Sequence, residues 1–324
     1  MSKAIRMSRT GGPEVMEYVD VDVGEPGPGE ARVRHAACGV NFVDVYFRTG
    51  LYPQQLPGGL GKEGAGVVEA LGPGVSNVAV GDRVAYTGGP SGAYCEVRNL
   101  PASVLLRLPD AISFETAAAM MLRGLTVQYL FKRTAQLKRG DTILFHAAAG
   151  GVGLIACQWA RALGVNMIGT VGSDEKAQLA REHGCAHVIN YNTEDFVARV
   201  LEITNGEKVS VVYDSIGKDT FTGSLDCLQP LGLMVSFGNA SGPVPPFTLN
   251  ELASRGSLFI TRPSLFSYIA KRADLEAMAA DLFAIVSSGQ VKIDINQKYK
   301  LADAARAHSD LEARKTTGST ILLP

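Results

Sequence analysis

The run from Gly140 to Gly164, GDTILFHAAAGGVGLIACQWARALG, narrows the fold of this chain more than any other. An apolar, strand-like stretch passes straight into a turn of small residues, Ala147-Ala148-Ala149-Gly150-Gly151-Val152-Gly153, and from there into a helical pattern. A turn must be this small where the N–H groups opening a helix approach a pyrophosphate. Alanine stands here for the first fingerprint glycine. Small turns also let a helix pack closely on a strand, but the strand-turn-helix context points to dinucleotide binding through Gly150, Gly151 and Val152.

The stretch around this turn repeats the alternation. Apolar runs at residues 142–147, 166–171, 187–190, 209–214, 233–237 and 257–261 are separated, across the first five, by helical patterns opening near Gly151, Asp174, Glu194 and Thr220. A Pro-rich loop precedes the sixth. Six runs suit a Rossmann-type doubly wound parallel sheet, so the expectation is an α/β chain with residues 123–262 as its dinucleotide domain. Residues 1–110 read differently, as short strands at 32–37, 66–71, 82–86 and 93–97 with few helical periods. Ser113 is placed to cap a helix with apolar positions from Phe114 to Tyr129. A helix over 272–288, a strand, another helix and a strand at 320–323 close the chain without β-α alternation. This tail is expected to fold back on the first segment, giving a discontinuous domain of residues 1–122 and 263–324.

At the end of the second run, the position that takes the ribose 2′-OH of NAD when acidic reads Val171. Gly172 and Ser173 follow, with Lys176 in reach. No carboxylate repels a 2′-phosphate there and a lysine attracts one, which favours NADPH. The other reading leaves Lys176 as a solvated helix-start charge and gives the ribose to Asp174.

Composition excludes several partners. The net charge of −1, from 31 Lys+Arg against 32 Asp+Glu without blocks, offers no footprint for nucleic acid or an anionic membrane. No run of about 18 apolar residues occurs, and the first residues lack a signal-peptide core, so a cytoplasmic protein acting on a small molecule is expected. The cysteines, Cys38, Cys95, Cys157, Cys185 and Cys227, are five in number with no CxxC pair, unlike a disulfide scaffold or a structural zinc site. His183, Cys185 and His187 carry donor atoms at a spacing that matches no common closed site, and read as structural.

Gly140-Asp141, Leu144, Ala148-Ala149-Gly150-Gly151, Gly153, Gln158 and Arg161 fall in a pattern that resembles the quinone oxidoreductase and zeta-crystallin group of the medium-chain dehydrogenase/reductases. The resemblance, strongest to bacterial members, runs through GGPEV, GVNFVDVYFRTGLYP, GKEGAGVV, GDRV, LRGLTVQYL, VVYDSIG, GLMVSFGNASG and TRPSL. It implies a GroES-like catalytic domain beside the nucleotide domain, an active site in the cleft between them, and transfer of reducing equivalents from NADPH to a quinone. Zinc-dependent relatives carry ligands where this chain has Asn41 and Lys62, and the third ligand region, Leu122-Arg123-Gly124, has no Cys or His. With those ligands missing a zinc-free enzyme is expected, which suits a quinone because it is electrophilic without a Lewis acid.

The resemblance further implies Asn41, Asp44 and Tyr46 around the nicotinamide and substrate, with Tyr46 also readable as a packed aromatic. It implies Thr126, Tyr191, Ser215, Phe237, Gly238, Asn239, Ser264 and Leu265 along the cofactor, and Arg314 as a second phosphate contact. Ser257 and Thr261 bound an apolar edge strand, which related proteins pair across a two-fold axis, so a homodimer is expected. Two alternatives stay open: an alkenal or enone reductase, and a crystallin-like or RNA-binding role.

Overall fold

The computed structural model describes residues 1–324. In chain order the first half contains β1 (Ser2–Met7), β2 (Glu17–Val21), β3 (Glu30–Val40), α1 (Phe42–Thr49), β4 (Gly58–Gly59), β5 (Glu63–Leu71), β6 (Arg83–Thr87), β7 (Val97–Pro101), β8 (Leu106–Arg107) and α2 (Phe114–Tyr129). Next come β9 (Thr142–Phe145), α3 (Gly151–Leu163), β10 (Asn166–Val171), α4 (Asp174–Glu182), β11 (His187–Asn190), α5 (Phe196–Ile203), β12 (Val209–Asp214), α6 (Phe221–Asp226) and β13 (Leu228–Ser236). The remainder is α7 (Asn250–Ser254), β14 (Phe259–Thr261), α8 (Leu265–Tyr268), α9 (Arg272–Ser287), β15 (Ile295–Lys300), α10 (Ala304–Glu312) and β16 (Ser319–Leu323).

The chain divides into two compact units, one of Met1–Leu125, Ile269–Ser288 and Ile293–Pro324, the other of Thr126–Tyr268 and Gly289–Lys292. The second holds a six-stranded sheet in the order β11-β10-β9-β12-β13-β14, with every pair parallel. The order reverses between β9 and β12, the switch point where open α/β sheets bind ligands at the carboxyl ends of their strands. Leu144, Ile168, Ile189 and Val212 on these strands pack against Val200, Phe221 and Leu225 from helices. Burial on both faces explains why these strands read as apolar runs without alternation. β14 closes one edge, with Phe259 60% and Ile260 36% exposed.

The GroES-like unit is antiparallel apart from the parallel pair β15-β16. Strand β3 organises it. Residues 31–38 of its eleven pair with β5 on one side, while on the other its first half meets β7 and its last residues meet β16. The returning C-terminal strand thus completes the sheet begun by the N-terminal segment.

Several expectations shift. β1, β2 and α1 were not foreseen. The expected strand at 93–97 makes only an isolated bridge from Cys95 to Ala4, and its ladder starts at Val97. β13 begins at Leu228 rather than 233, and β14 at Phe259 rather than 257, where Ser257 turns at φ +58.

Candidate active site

The nucleotide half is built on the turn after β9. Ala147 takes a left-handed φ of +58, unusual for a residue with a Cβ, and its carbonyl accepts the Gly150 N–H at 2.9 Å. Gly150 caps α3 in extended conformation without a side-chain bond, so the first amides of the helix, Gly151, Val152 and Gly153, have no acceptor within the helix. A Cβ on Gly153 would lie 2.3 Å from the Ala147 oxygen and 2.5 Å from the Ala148 carbonyl, so only glycine lets α3 sit this close to the turn.

At the end of β10, Val171 is buried and Ser173 caps α4, its hydroxyl accepting the Lys176 N–H at 3.3 Å. A Cβ on Gly172 would come 2.6 Å from the Tyr191 hydroxyl, which brings these two expected residues together. Asp174, the alternative ribose partner, accepts from the Asn190 amide at 2.9 Å. After β12 and β13, Ser215 and Gly238 pack so tightly that a Cβ on Gly238 would lie 2.4 Å from the Ser215 oxygen. Phe237 donates its N–H to the Asp214 main-chain carbonyl at 2.8 Å and packs at a tilt against Phe145, and Asn239 follows directly. Ser264 precedes α8, where Leu265 is buried, and Thr126 is buried on α2.

A polar chain that sequence reasoning missed ties these strand ends together. Asp214 is fully buried and accepts the N–H groups of Ile216 and Gly217 and the hydroxyls of Thr220 and Ser224, at 2.7–3.0 Å. Because Ser224 spends its proton on Asp214, its oxygen accepts from His146 Nε2 at 2.9 Å, and His146 Nδ1 accepts from the Thr170 hydroxyl at 2.8 Å. The available signal was a carboxylate ending an apolar strand.

In the GroES-like unit, Asn41 caps α1 and donates its backbone N–H to the Asp44 carboxylate three residues on, at 2.9 Å. Asp44 is wholly buried and also accepts from the Tyr94 hydroxyl at 2.9 Å. Arg48 can only donate, so its 3.1 Å contact with His308 Nδ1 leaves the ring proton on Nε2, which donates to Tyr94 at 3.1 Å. The order Arg48, His308, Tyr94, Asp44 is therefore directional, and it makes Asp44 a brace of the Asn41 turn. Tyr46, 8% exposed, packs against Phe42 and edge-on to Tyr52. Arg314 is exposed in the turn after α10 at φ +58, within the GroES-like unit.

Burial sets the electrostatics. It raises Asp44 to about 6, against the Asn41 N–H, Tyr94, Arg123 and Lys62, and raises Glu63 to about 7, against Arg123, Asn41 and the Leu122 N–H. It lowers His35 to about 4, and burial with the nearby Arg48 lowers His308 to about 3. The unfolded chain takes up protons at these histidines near 6.5, so their contribution is complete above that pH and lost on acidification toward 4 and 3. The two carboxyls act oppositely: their contribution is present below about pH 4 and is lost as pH rises through 6 and 7. We expect His308→Gln to lose Tm less steeply than wild type between about pH 6.5 and 4. Equal slopes in the two proteins would show that His308 is not held neutral by the fold.

The residues do not suit a zinc ion. No group of three or more His, Cys, Asp or Glu side chains converges anywhere in the chain. The Asn41 amide nitrogen donates to Glu63 at 2.6 Å, and Lys62 donates to the Gly89 carbonyl at 2.8 Å and lies over the Phe47 ring. His183 Nδ1 faces the Leu179 carbonyl at 2.7 Å, and the Cys185 thiol meets the carbonyls of Met167 and His187.

Residues 27–110 match the alcohol dehydrogenase GroES-like domain, and residues 151–283 match the domain described as zinc-binding dehydrogenase. The quinone oxidoreductase of Pseudomonas aeruginosa is 58% identical, with both chains covered in full. The crystal structure of Escherichia coli quinone oxidoreductase complexed with NADPH superposes with a TM-score of 0.98 at 52% identity, covering 99% of this chain and 100% of that one. A 2-haloacrylate reductase from a Burkholderia species is 45% identical over 100% of this chain and 99% of its own length. With a GroES-like unit and a six-stranded parallel nucleotide sheet aligned end to end with such relatives, the chain belongs to the quinone oxidoreductase family of medium-chain dehydrogenase/reductases.

Proposed function

We propose that this protein is a zinc-independent NADPH:quinone oxidoreductase, with residues 123–262 as the cofactor domain and residues 1–122 and 263–324 as the catalytic domain. The observation that carries the reading is the open start of α3 behind Gly150, beside a β10 end with Val171 and Lys176 in place of an acidic ribose clamp. Bound NADPH supplies the reducing equivalents. The chain's part is to hold and orient. The amides of Gly151 and Val152 face the pyrophosphate; Gly172, Ser173 and Lys176 take the 2′-phosphate side, and Tyr191 lies beside the adenosine. Ser215, Phe237, Gly238, Asn239, Ser264, Leu265 and Thr126 line the way to the nicotinamide, and Arg314 adds a phosphate contact. Asn41 offers its amide to the nicotinamide and the acceptor, Tyr46 lies beside the cofactor and offers a hydrogen bond and a proton to the acceptor oxygen as charge develops on it, and Asp44 keeps the Asn41 turn in place. A quinone needs no metal to accept electrons, which agrees with a donor set unsuited to zinc.

Titration of metal-analysed protein with NADPH and NADH, then turnover with 1,4-benzoquinone, tests this reading. We expect tighter NADPH binding, fast turnover, and a loss of about tenfold in NADPH preference in Lys176→Ala, the worth of one charged hydrogen bond. No NADPH binding, or activity lost to a chelator, would overturn the proposal. The resemblance to 2-haloacrylate reductase favours a second reading as a reductase of activated alkenes. Parallel turnover of an enone and the quinone separates the two.

No helix is long and apolar enough to cross a membrane, and we place the protein in the cytoplasm. We also propose a homodimer through β14, whose exposed Phe259 and Ile260 leave an apolar strand edge open. Light scattering should give a dimer mass for the wild type and a shift toward monomer in Phe259→Arg. A concentration-independent monomer mass for the wild type would end the idea.

A further inference from the structure

Asn41, Glu63 and Arg123 come from β3's end, β5 and α2, and all three are buried in one polar cluster, with Glu63 0% exposed. The two oxygens of Glu63 have separate tasks. Oε1 accepts the backbone N–H of Leu122 at 2.8 Å, and Oε2 accepts from the Asn41 side-chain nitrogen at 2.6 Å. Room for the carboxylate is left by Gly39, where a Cβ would fall 2.2 Å from Glu63 Oε2. Arg123 donates to the carbonyls of Ala119 and Val40, which pins its guanidinium, and its charge favours the ionised form of Glu63. Asp44, the remaining charge facing Glu63, opposes ionisation.

An amide has one donor end and one acceptor end, and what it offers a ligand depends on which way round it is held. We propose that Glu63 is a positioning residue for the reaction: with Arg123 as its buried counter-charge, its carboxylate holds the nitrogen of the Asn41 amide, so that Asn41 meets cofactor and acceptor in one orientation. This rests on the reading above, in which Asn41 contacts them. Glu63 itself touches neither.

The test uses the fact that the Leu122 N–H is a backbone donor and cannot reverse. In Glu63→Gln the new amide must turn its oxygen to Leu122 and its nitrogen to Asn41, so Asn41 flips. We expect kcat/KM and NADPH affinity, read by fluorescence titration, to fall about tenfold in Glu63→Gln. In the Asn41→Ala background the same change should cost less than about twofold, because the held group is gone. The exchange Asn41→Asp/Glu63→Gln keeps the pair and returns a carboxylate beside Arg123, so it should recover the wild-type Tm while NADPH affinity stays low. Unchanged affinity and kcat/KM in Glu63→Gln, equal losses in both backgrounds, or full recovery of kcat/KM in the exchange would each overturn the proposal. The wild-type titration comes first: failure to bind NADPH there refutes the proposed function, and this inference with it.

Discussion

Gly153→Val is expected to weaken NADPH binding by on the order of 100-fold or more, equivalent to about 2.7 kcal/mol. The Cβ of any residue here would stand 2.3 Å from the Ala147 oxygen and 2.5 Å from the carbonyl carbon and oxygen of Ala148. These are backbone atoms, so no side chain can swing aside. Either α3 retreats from the turn or the turn gives way, and the turn already carries Ala147 at φ +58. Both movements take the first amides of α3 out of the line proposed for them toward the pyrophosphate, and overpacking of this kind costs about 1–3 kcal/mol of stability besides. Gly150 provides the contrast. A Cβ there meets only the Ala147 oxygen, at 3.2 Å, so Gly150→Ala should weaken binding far less. Fluorescence titration of both variants, with urea unfolding to measure stability, reads the two effects separately. NADPH binding by Gly153→Val within about threefold of wild type, under 1 kcal/mol, would show that the turn does not carry the cofactor.

The contrast between these two glycines shows which parts of the site were legible in the amino-acid sequence. The fingerprint turn is local: strand, small residues and helix lie within one stretch, and β10, β11 and β12 coincide with their apolar runs because both faces of that sheet are covered. Helix α1 was hidden by its composition. Phe42, Val43, Val45 and Tyr46 are β-type residues, and the cue that overrides them, Asn41 and Asp44 at capping spacing, is a weaker form of the usual Ser/Thr and Glu pair. The strand expected at 93–97 failed for the converse reason: Ala93, Tyr94 and Cys95 are buried as a strand's residues would be, yet they bury themselves in a connecting segment with a single bridge, and only Val97 joins a ladder. The polar clusters lie further from sequence reasoning. His308 reaches Arg48 across 260 positions and Tyr94 across 214, and Glu63 reaches Leu122 across 59. Spacing rules apply within an element, and none pairs residues brought together only by a C-terminal tail closing on an N-terminal sheet.

Asp214→Ala should be among the most destabilising single changes in the nucleotide unit, at about 4 kcal/mol, because the buried donors of Gly217 and Ser224 and the part-buried ones of Ile216 and Thr220 lose their acceptor at once and each buried orphan costs about 1–3 kcal/mol before relaxation. Asp214→Asn separates the donors that can adapt from those that cannot. The N–H groups of Ile216 and Gly217 are fixed, so the new amide must keep its oxygen toward them and turn its nitrogen to the hydroxyls of Thr220 and Ser224. Those hydroxyls can reverse. Ser224, now accepting from the amide, donates to His146 Nε2, and the ring moves its proton to Nδ1 and donates to the Thr170 oxygen in turn. The whole chain runs backwards with every bond kept, so Asp214→Asn should cost only about 1 kcal/mol, the difference between a charged and a neutral acceptor. Burial keeps the His146 ring neutral, which leaves its tautomer as a direct reporter. Nitrogen-15 shifts of the ring should show the proton on Nε2 in the wild type and on Nδ1 in Asp214→Asn, with urea unfolding ranking the variants. An alanine variant within about 1 kcal/mol of wild type, or an unchanged tautomer in the asparagine variant, would mean that Asp214 does not anchor the strand ends on which the cofactor loops depend.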